Sequence, residues 1–182
     1  ALIMMIAMIA MLAIPVVLTE ETERKTYDAL VLIASHTEVI AAKALLGVVY
    51  IALMVPLLLL ITRITPRDPL LFSAATTALG LTLIGLGLLM AGLFKSANQL
   101  NTWAGIFLIP VVAPAFIVGL RVPKTLERVA NLLPTGGAAK LLFDSAAANR
   151  LYHDTVQSFL VIVAWGVVAY ALLGWQLARR QA

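Results

Sequence analysis

The chain has 182 residues, of which 62% are hydrophobic and only 12% are charged, whereas about a quarter of the residues in soluble domains are charged. Its net charge of +4 comes from lysines and arginines in short polar connections between apolar blocks, a pattern typical of helix ends near lipid headgroups and not of a nucleic-acid-binding surface. The lack of cysteine excludes disulfides, thiolate metal sites and thiol nucleophiles.

Several uncharged stretches have the length of roughly 17 to 25 residues that is needed to cross a bilayer core of about 30 Å. Such stretches must be helical, because lipid cannot satisfy backbone polar groups. The sequence therefore predicts an all-α polytopic membrane protein, a single transmembrane domain over residues 1–182, with spans at residues 2–18, 44–62, 70–94, 103–120 and 156–177. The chain begins inside an apolar run, so we expect it to be the C-terminal part of a longer protein with at least one further span.

The connection after the first span, residues 19–34, has the pattern of an amphipathic helix outside the bilayer. Glu20 and Arg24 are four residues apart, as are Glu21 and Lys25, so opposite charges would share one helical face. An apolar stripe at helical spacing follows these charges and consists of Tyr27, Leu30, Val31 and Ala34.

A capping box marks the end of this connection. Ser35 and Glu38 have the S-x-x-E spacing, in which the serine side chain accepts a backbone N–H and the glutamate reaches back to the serine N–H. A long apolar run follows directly. The pattern predicts that one helix ends and another begins at Ser35.

The third predicted span is unusually rich in glycine. Glycine removes side-chain bulk where a second helix approaches closely, so we expect this helix to lie inside the bundle. The glycines concerned are Gly80, Gly85, Gly87 and Gly92. The second and fourth spans instead contain prolines, which are Pro56, Pro110 and Pro114.

Residues 121–150 form a second segment that is neither a span nor a simple loop. Apolar residues recur at helical spacing between Pro123 and Pro134, which predicts a short interfacial or re-entrant helix. Gly136 and Gly137 then predict a helix break, followed by another short helix over residues 138–148. The residues of the apolar stripe are Leu126, Val129, Ala130 and Leu133.

Charge bias does not orient the chain. With residues 19–43 inside, six lysines and arginines lie on that side and seven on the other. Orientation therefore needs another argument.

The segment from Glu21 to Lys43 resembles the E-x-E-x-G-T-x-x-x-L, P-x-S-x-x-E and G-K pattern of ABC-2 type permeases, the transmembrane subunits of ATP-driven transporters. Two positions depart from it, since Lys25 stands where glycine is usual and Ala34 where proline is usual. Seven residues fall on family positions, namely Glu21, Glu23, Thr26, Leu30, Ser35, Glu38 and Lys43. Further along, the family order of a polar turn, a proline-bearing span and a proline-bracketed segment is matched by Phe94, Lys95, Ser96, Pro110, Gly119, Pro123 and Pro134.

This resemblance implies a multi-pass exporter subunit in a bacterial or archaeal cytoplasmic membrane, with residues 19–34 as a cytoplasmic coupling helix and residues 121–150 as an extracytoplasmic re-entrant segment. It implies two permease copies and two ATPase subunits in each transporter. ATP and Mg would be bound by the ATPase, and no cofactor by this chain. The residues expected to contact the ATPase are Glu21, Glu23, Thr26, Tyr27, Leu30, Ser35 and Glu38.

Other interpretations remain open. The glutamates of residues 20–23 also suit a solvated helix end, or the E-E-x-x-x-R motif of intramembrane proteases, although Lys25 stands at the arginine position and no histidine lies in a span. The stretch 133–140 lacks phosphate-loop spacing, and we expect no enzymatic activity. His36 and His153 lie in polar connections without metal-ligand spacing. A membrane scaffold or assembly subunit that moves nothing is the alternative from another class.

Overall fold

The structure of the protein is a computed structural model. It describes residues 1–26, 30, 34–94, 96–147, 151–152 and 154–181. For residues 36, 177, 180 and 181 it describes the backbone and not the side chains. Within these ranges all regular structure is helical, in agreement with the predicted all-α class. We number the helices α1 Leu2–Glu23, α2 His36–Thr62, α3 Pro69–Ala91, α4 Ala97–Ile117, α5 Lys124–Leu132, α6 Pro134–Ala146 and α7 Thr155–Gln181.

Five of these helices, α1 to α4 and α7, are long and apolar enough to cross a membrane. They indicate a multi-pass membrane protein. Consecutive spanning helices run in opposite directions. The C-terminal ends of α1, α3 and α7 therefore lie at the same end of the bundle as the N-terminal ends of α2 and α4. We call this the Glu21 end, and the opposite end, which includes α5 and α6, the Lys140 end.

Helix α1 continues beyond the end predicted near Leu18 and reaches Glu23. The hydroxyls of Thr19 and Thr22 donate to the carbonyls of Pro15 and Leu18, four residues earlier, so both polar side chains are satisfied along the helix. The helix ends before Lys25, whose φ of 58° is left-handed. The predicted coupling helix therefore does not begin at Thr19, and residues 27–29 and 31–33 of that prediction lie outside the described part of the chain.

Helix α2 begins where the capping box predicts. The Ser35 hydroxyl accepts the Glu38 N–H at 3.3 Å, and the Glu38 carboxylate accepts the Ser35 N–H at 2.7 Å. This confirms that a helix begins at Ser35, well before the membrane span predicted from residue 44. The predicted end of the preceding helix falls next to residues 31–33, outside the described part of the chain.

Helix α3 is the centre of the bundle and packs against α1, α2, α6 and α7. In its most apolar stretch 67% of the residues are buried inside the protein, against 17% in α2, which confirms the interior position predicted from glycine. Gly87 faces the π-helical turn Ile9–Ala13 of α1, and a Cβ placed there would lie 2.0 Å from the carbonyl oxygen of Ala10. The two backbones are thus closer than any side chain permits.

The helix break predicted at Gly136 and Gly137 is wrong, because both residues lie within α6. A Cβ on Gly136 would lie 2.0 Å from the carbonyl oxygen of Ala130, and one on Gly137 would lie 3.1 Å from that of Ser158. The glycines serve close packing of α6 against α5 and α7. They do not end a helix.

Candidate functional site

The residues that resemble a coupling segment lie at the Glu21 end, and the first of them is held by an ion pair. Glu21, near the end of α1, binds the ammonium of Lys43 in the third turn of α2. Their side chains are only 23% and 13% exposed. The second carboxylate oxygen of Glu21 is buried and has no hydrogen-bond partner among the described residues. Glu21 therefore fastens α1 to α2.

Glu23 makes a second attachment. Its Oε2 accepts the backbone N–H of Ala97, the first residue of α4, at 3.1 Å. The first N–H groups of a helix have no partner within it and attract negative charge, so this carboxylate caps α4 from another helix. The Ser96 hydroxyl caps the same helix by accepting the N–H of Gln99 at 3.2 Å. Glu23 thus joins the end of α1 to the start of α4.

The remaining predicted contact residues differ in their availability. Ser35 and Glu38 are exposed but bind each other in the capping box. Thr26 is exposed, and Leu30 is partly buried and packs against the core. Tyr27 lies outside the described residues. Glu21, Glu23 and Glu38 thus each have a partner within the chain, although Glu23 and Glu38 remain exposed.

The exposed surface of the Glu21 end is formed by a different set of charges. Glu20, Arg24 and Lys25 are all exposed, and none forms an ion pair with another described residue. On α7 the Arg179 guanidinium stacks on the ring of Trp175 at 3.8 Å. The turn between α1 and Thr26 is therefore surrounded by exposed side chains of both signs of charge.

A second polar cluster, at the Lys140 end, was missed by the sequence reasoning. Asp144 is 4% exposed, and its Oδ1 accepts the N–H groups of Leu151 at 2.7 Å and Tyr152 at 2.9 Å. Lys140, 8% exposed, lies 3.6 Å from a carboxylate oxygen of Asp154 and 5.5 Å from the centre of the Tyr152 ring.

The signal for this cluster is present in the sequence. Lys140 and Asp144 are the two charged residues of the stretch 129–149, and they are one helical turn apart. An isolated charge in an apolar stretch is expensive unless it is bound, which marks it as structural or functional. The cluster acts as a clasp, because Asp144 binds the backbone of Leu151 and Tyr152 shortly before α7 begins.

Helices α3 and α7 are joined by hydrogen bonds from side chains to backbone carbonyls. The Tyr170 hydroxyl donates to Leu81 at 3.0 Å, and the Thr82 hydroxyl donates to Ile162 at 3.0 Å. Such bonds align two helices without placing charge in the membrane.

Neither end contains a recognisable cofactor centre within the described ranges, where no three His, Asp or Glu side chains group closely enough to hold a metal ion. Comparison with protein-family models, with curated proteins and with solved structures gives no match. The argument for function therefore rests on the residues of this chain.

Proposed function

We propose that the chain is the transmembrane permease subunit of an ABC-2 type exporter, driven by ATP hydrolysis on a separate subunit. The resemblance of residues 21–43 to the coupling segment of that family motivates the proposal. The observation that carries it is the double attachment of this segment, through Glu21 to α2 and through Glu23 to α4. A partner that moves the segment would thereby move three membrane helices.

In this mechanism the residues of the segment have two different roles. Glu21 and Glu23 are attachment residues that transmit displacement within the bundle. Contact with the ATPase is made by the exposed turn at Arg24, Lys25 and Thr26 and by the apolar residues that follow it. Charged groups of both signs at a protein–protein contact determine which partner binds and in which orientation. Burial of apolar side chains makes the contact rigid.

The energy source in this proposal is external. The apolar stretches 2–18, 44–62, 70–91, 97–117 and 155–176 contain no Asp, Glu, Lys or Arg, whereas ionisable residues within the membrane are typical of proton and ion pathways. ATP and Mg bind the partner, and a second permease copy completes the pathway across the membrane. Nucleotide-driven closure of two ATPases then rocks two helical bundles against each other.

The test is recovery of an ATPase with the tagged full-length protein from its native membrane. Arg24→Glu combined with Lys25→Glu should remove that ATPase and its permease-stimulated ATP turnover. The matched control is Lys124→Glu combined with Arg128→Glu, which makes the same charge change at the exposed surface of the Lys140 end. Wild-type protein that recovers no ATPase, and liposomes that show no ATP-dependent export, would favour the scaffold alternative.

A further inference from the structure

Most side chains of helix α5 face outward, and three of these are large and apolar. Leu126, Val129 and Leu132 are 45%, 56% and 67% exposed, and their spacing of three residues places them along one side of the helix. We call these three residues the apolar strip. Much of its surface is left uncovered by the described part of the chain.

Contacts with the rest of the protein hold α5 by another side. Ala130 is only 2% exposed, and its carbonyl oxygen would lie 2.0 Å from a Cβ on Gly136 of α6. At the end of α5 the Leu132 carbonyl accepts the indole N–H of Trp165, on α7, at 2.8 Å. The position of α5 against α6 and α7 is therefore fixed, and the apolar strip lies outside these contacts.

The neighbouring helices place α5 at the boundary of the membrane. Helix α4 has 21 residues and a length of about 30 Å, so its end at Ile117 lies where the hydrocarbon core ends. Helix α5 begins seven residues later, at Lys124. Its last residue binds Trp165, which is about 15 Å along α7 from Thr155. The helix therefore runs from the headgroup layer toward the outer part of the acyl chains.

Two basic residues border the apolar strip. Lys124 and Arg128 are one helical turn apart, and Arg128 precedes Leu132 by one further turn, so the three side chains follow one another along the helix. Both basic side chains are exposed, and neither forms an ion pair with a described residue. Glu127 is the one acidic residue of α5, and it lines a small polar pocket together with Lys140 of α6.

These features complement an anionic lipid surface. Interfacial helices insert an apolar side roughly 5 to 10 Å into the boundary between headgroups and acyl chains, and their basic residues attract anionic headgroups. We propose that α5 lies in the bilayer interface and binds anionic phospholipids, with the apolar strip among their acyl chains and with Lys124 and Arg128 at their phosphates. This property is additional to the proposed transport function and does not depend on it.

The test places the photocrosslinker p-benzoylphenylalanine at Val129 in the full-length protein, in vesicles of phosphatidylcholine with a minor fraction of phosphatidylglycerol. Each basic residue at a membrane surface strengthens attraction to anionic lipid by roughly fivefold. Crosslinks to phosphatidylglycerol should therefore exceed those to phosphatidylcholine at least about fivefold after correction for composition. The same crosslinker at Ile109, which is exposed on α4 and lies eight residues before the end of that helix, should show no preference.

Two variants that remove the same charge assign the headgroup contact. Lys124→Gln with Arg128→Gln should abolish the preference at Val129. Arg63→Gln with Arg67→Gln changes two exposed residues of the connection between α2 and α3 at the same end, and it should leave the preference unchanged. Each variant is compared after its elution volume and helical content match those of the wild type.

A nitroxide label on Leu132→Cys tests whether the apolar strip enters the bilayer. Oxygen concentrates among acyl chains, whereas a nickel chelate remains in water. Relaxation of this label should therefore be enhanced more by oxygen than by the chelate. A label on Thr65→Cys, in the exposed connection between α2 and α3, should show the reverse.

Four results would overturn the proposal. They are equal crosslinking of the two lipids at Val129, an unchanged preference in the Lys124 and Arg128 variant, an equal loss of preference in the Arg63 and Arg67 variant, and a Leu132 label that the nickel chelate reaches as readily as the Thr65 label. Crosslinks from Val129 mainly to a second copy of the chain would likewise show that protein, and not lipid, covers the apolar strip.

Discussion

The carboxylate of Glu23 accepts a hydrogen bond from the backbone N–H of Ala97, across 74 positions of sequence. This contact places a negative charge at the N-terminus of α4, where the helix dipole stabilises it. The same contact links the end of α1 to α4, which is not its neighbour in the sequence. If the residues after Glu23 are displaced, we expect the start of α4 to move with them.

Replacement of Glu23 by alanine should destabilise the protein, because it removes the cap on Ala97. Loss of a helix cap costs about 1 kcal/mol. The thermal midpoint of the purified protein in detergent should fall, and Glu20→Ala, which removes an exposed side chain without a described hydrogen bond, should leave it unchanged. Equal midpoints for the two variants would show that the cap contributes nothing.

The ion pair between Glu21 and Lys43 can be tested by a double-mutant cycle. Either single change, Glu21→Gln or Lys43→Gln, leaves one largely buried charge without its partner and should cost about 1.5 to 3 kcal/mol. The double variant should be more stable than the sum of the two single effects predicts. Strictly additive shifts in denaturation midpoint would contradict a direct interaction.

Prediction from the sequence succeeded where the cause is local. The start of α2 depends on two side chains three residues apart, and the interior position of α3 depends on its own glycines. It failed at Gly136 and Gly137, because their role is set by Ala130 and Ser158 on neighbouring elements.

The contact of Glu23 with Ala97 likewise depends on a residue far away in the sequence. A glutamate at a helix end is equally suited to solvent or to a partner protein, and only the position of α4 decides between them. The sequence pattern could therefore not separate the residues that attach α1 to other helices from those that remain exposed.

Gly87 should tolerate no side chain. In Gly87→Ala the new methyl group would overlap the Ala10 carbonyl oxygen, so α1 and α3 must separate. Overpacking of this kind costs about 1 to 3 kcal/mol or more. Gly105→Ala is the matched control, because nothing lies within 4 Å of a Cβ at that helical position. A Gly87→Ala protein as monodisperse and as heat-stable as the control would show that the two helices do not meet as described.

Asp144 should be needed to hold Leu151 and Tyr152 in place before α7. Asp144→Ala frees the N–H groups of Leu151 and Tyr152, and loss of hydrogen bonds to a charged group costs about 1.5 to 3 kcal/mol. Protease cleavage next to Leu151 and Tyr152 should accelerate in this variant. Asp154→Ala removes a half-exposed carboxylate whose contact with Lys140 is 3.6 Å, so it should have little effect. Equal cleavage of the two variants would contradict the clasp.

The arrangement of the two ends predicts the accessibility of introduced cysteines, for which the cysteine-free chain is a clean background. Thr26→Cys and Asn98→Cys lie at the exposed Glu21 end, whereas Thr65→Cys and Thr125→Cys lie at the exposed Lys140 end. A membrane-impermeant maleimide should label one pair in intact cells and the other pair only after permeabilisation. Since lysine and arginine are nearly balanced between the two sides, this experiment also assigns orientation, and the proposed function requires Thr26 and Asn98 to be inside. Labelling of Thr26 and Thr65 from the same side would mean that α2 does not cross the membrane, and the five-span arrangement would then be wrong.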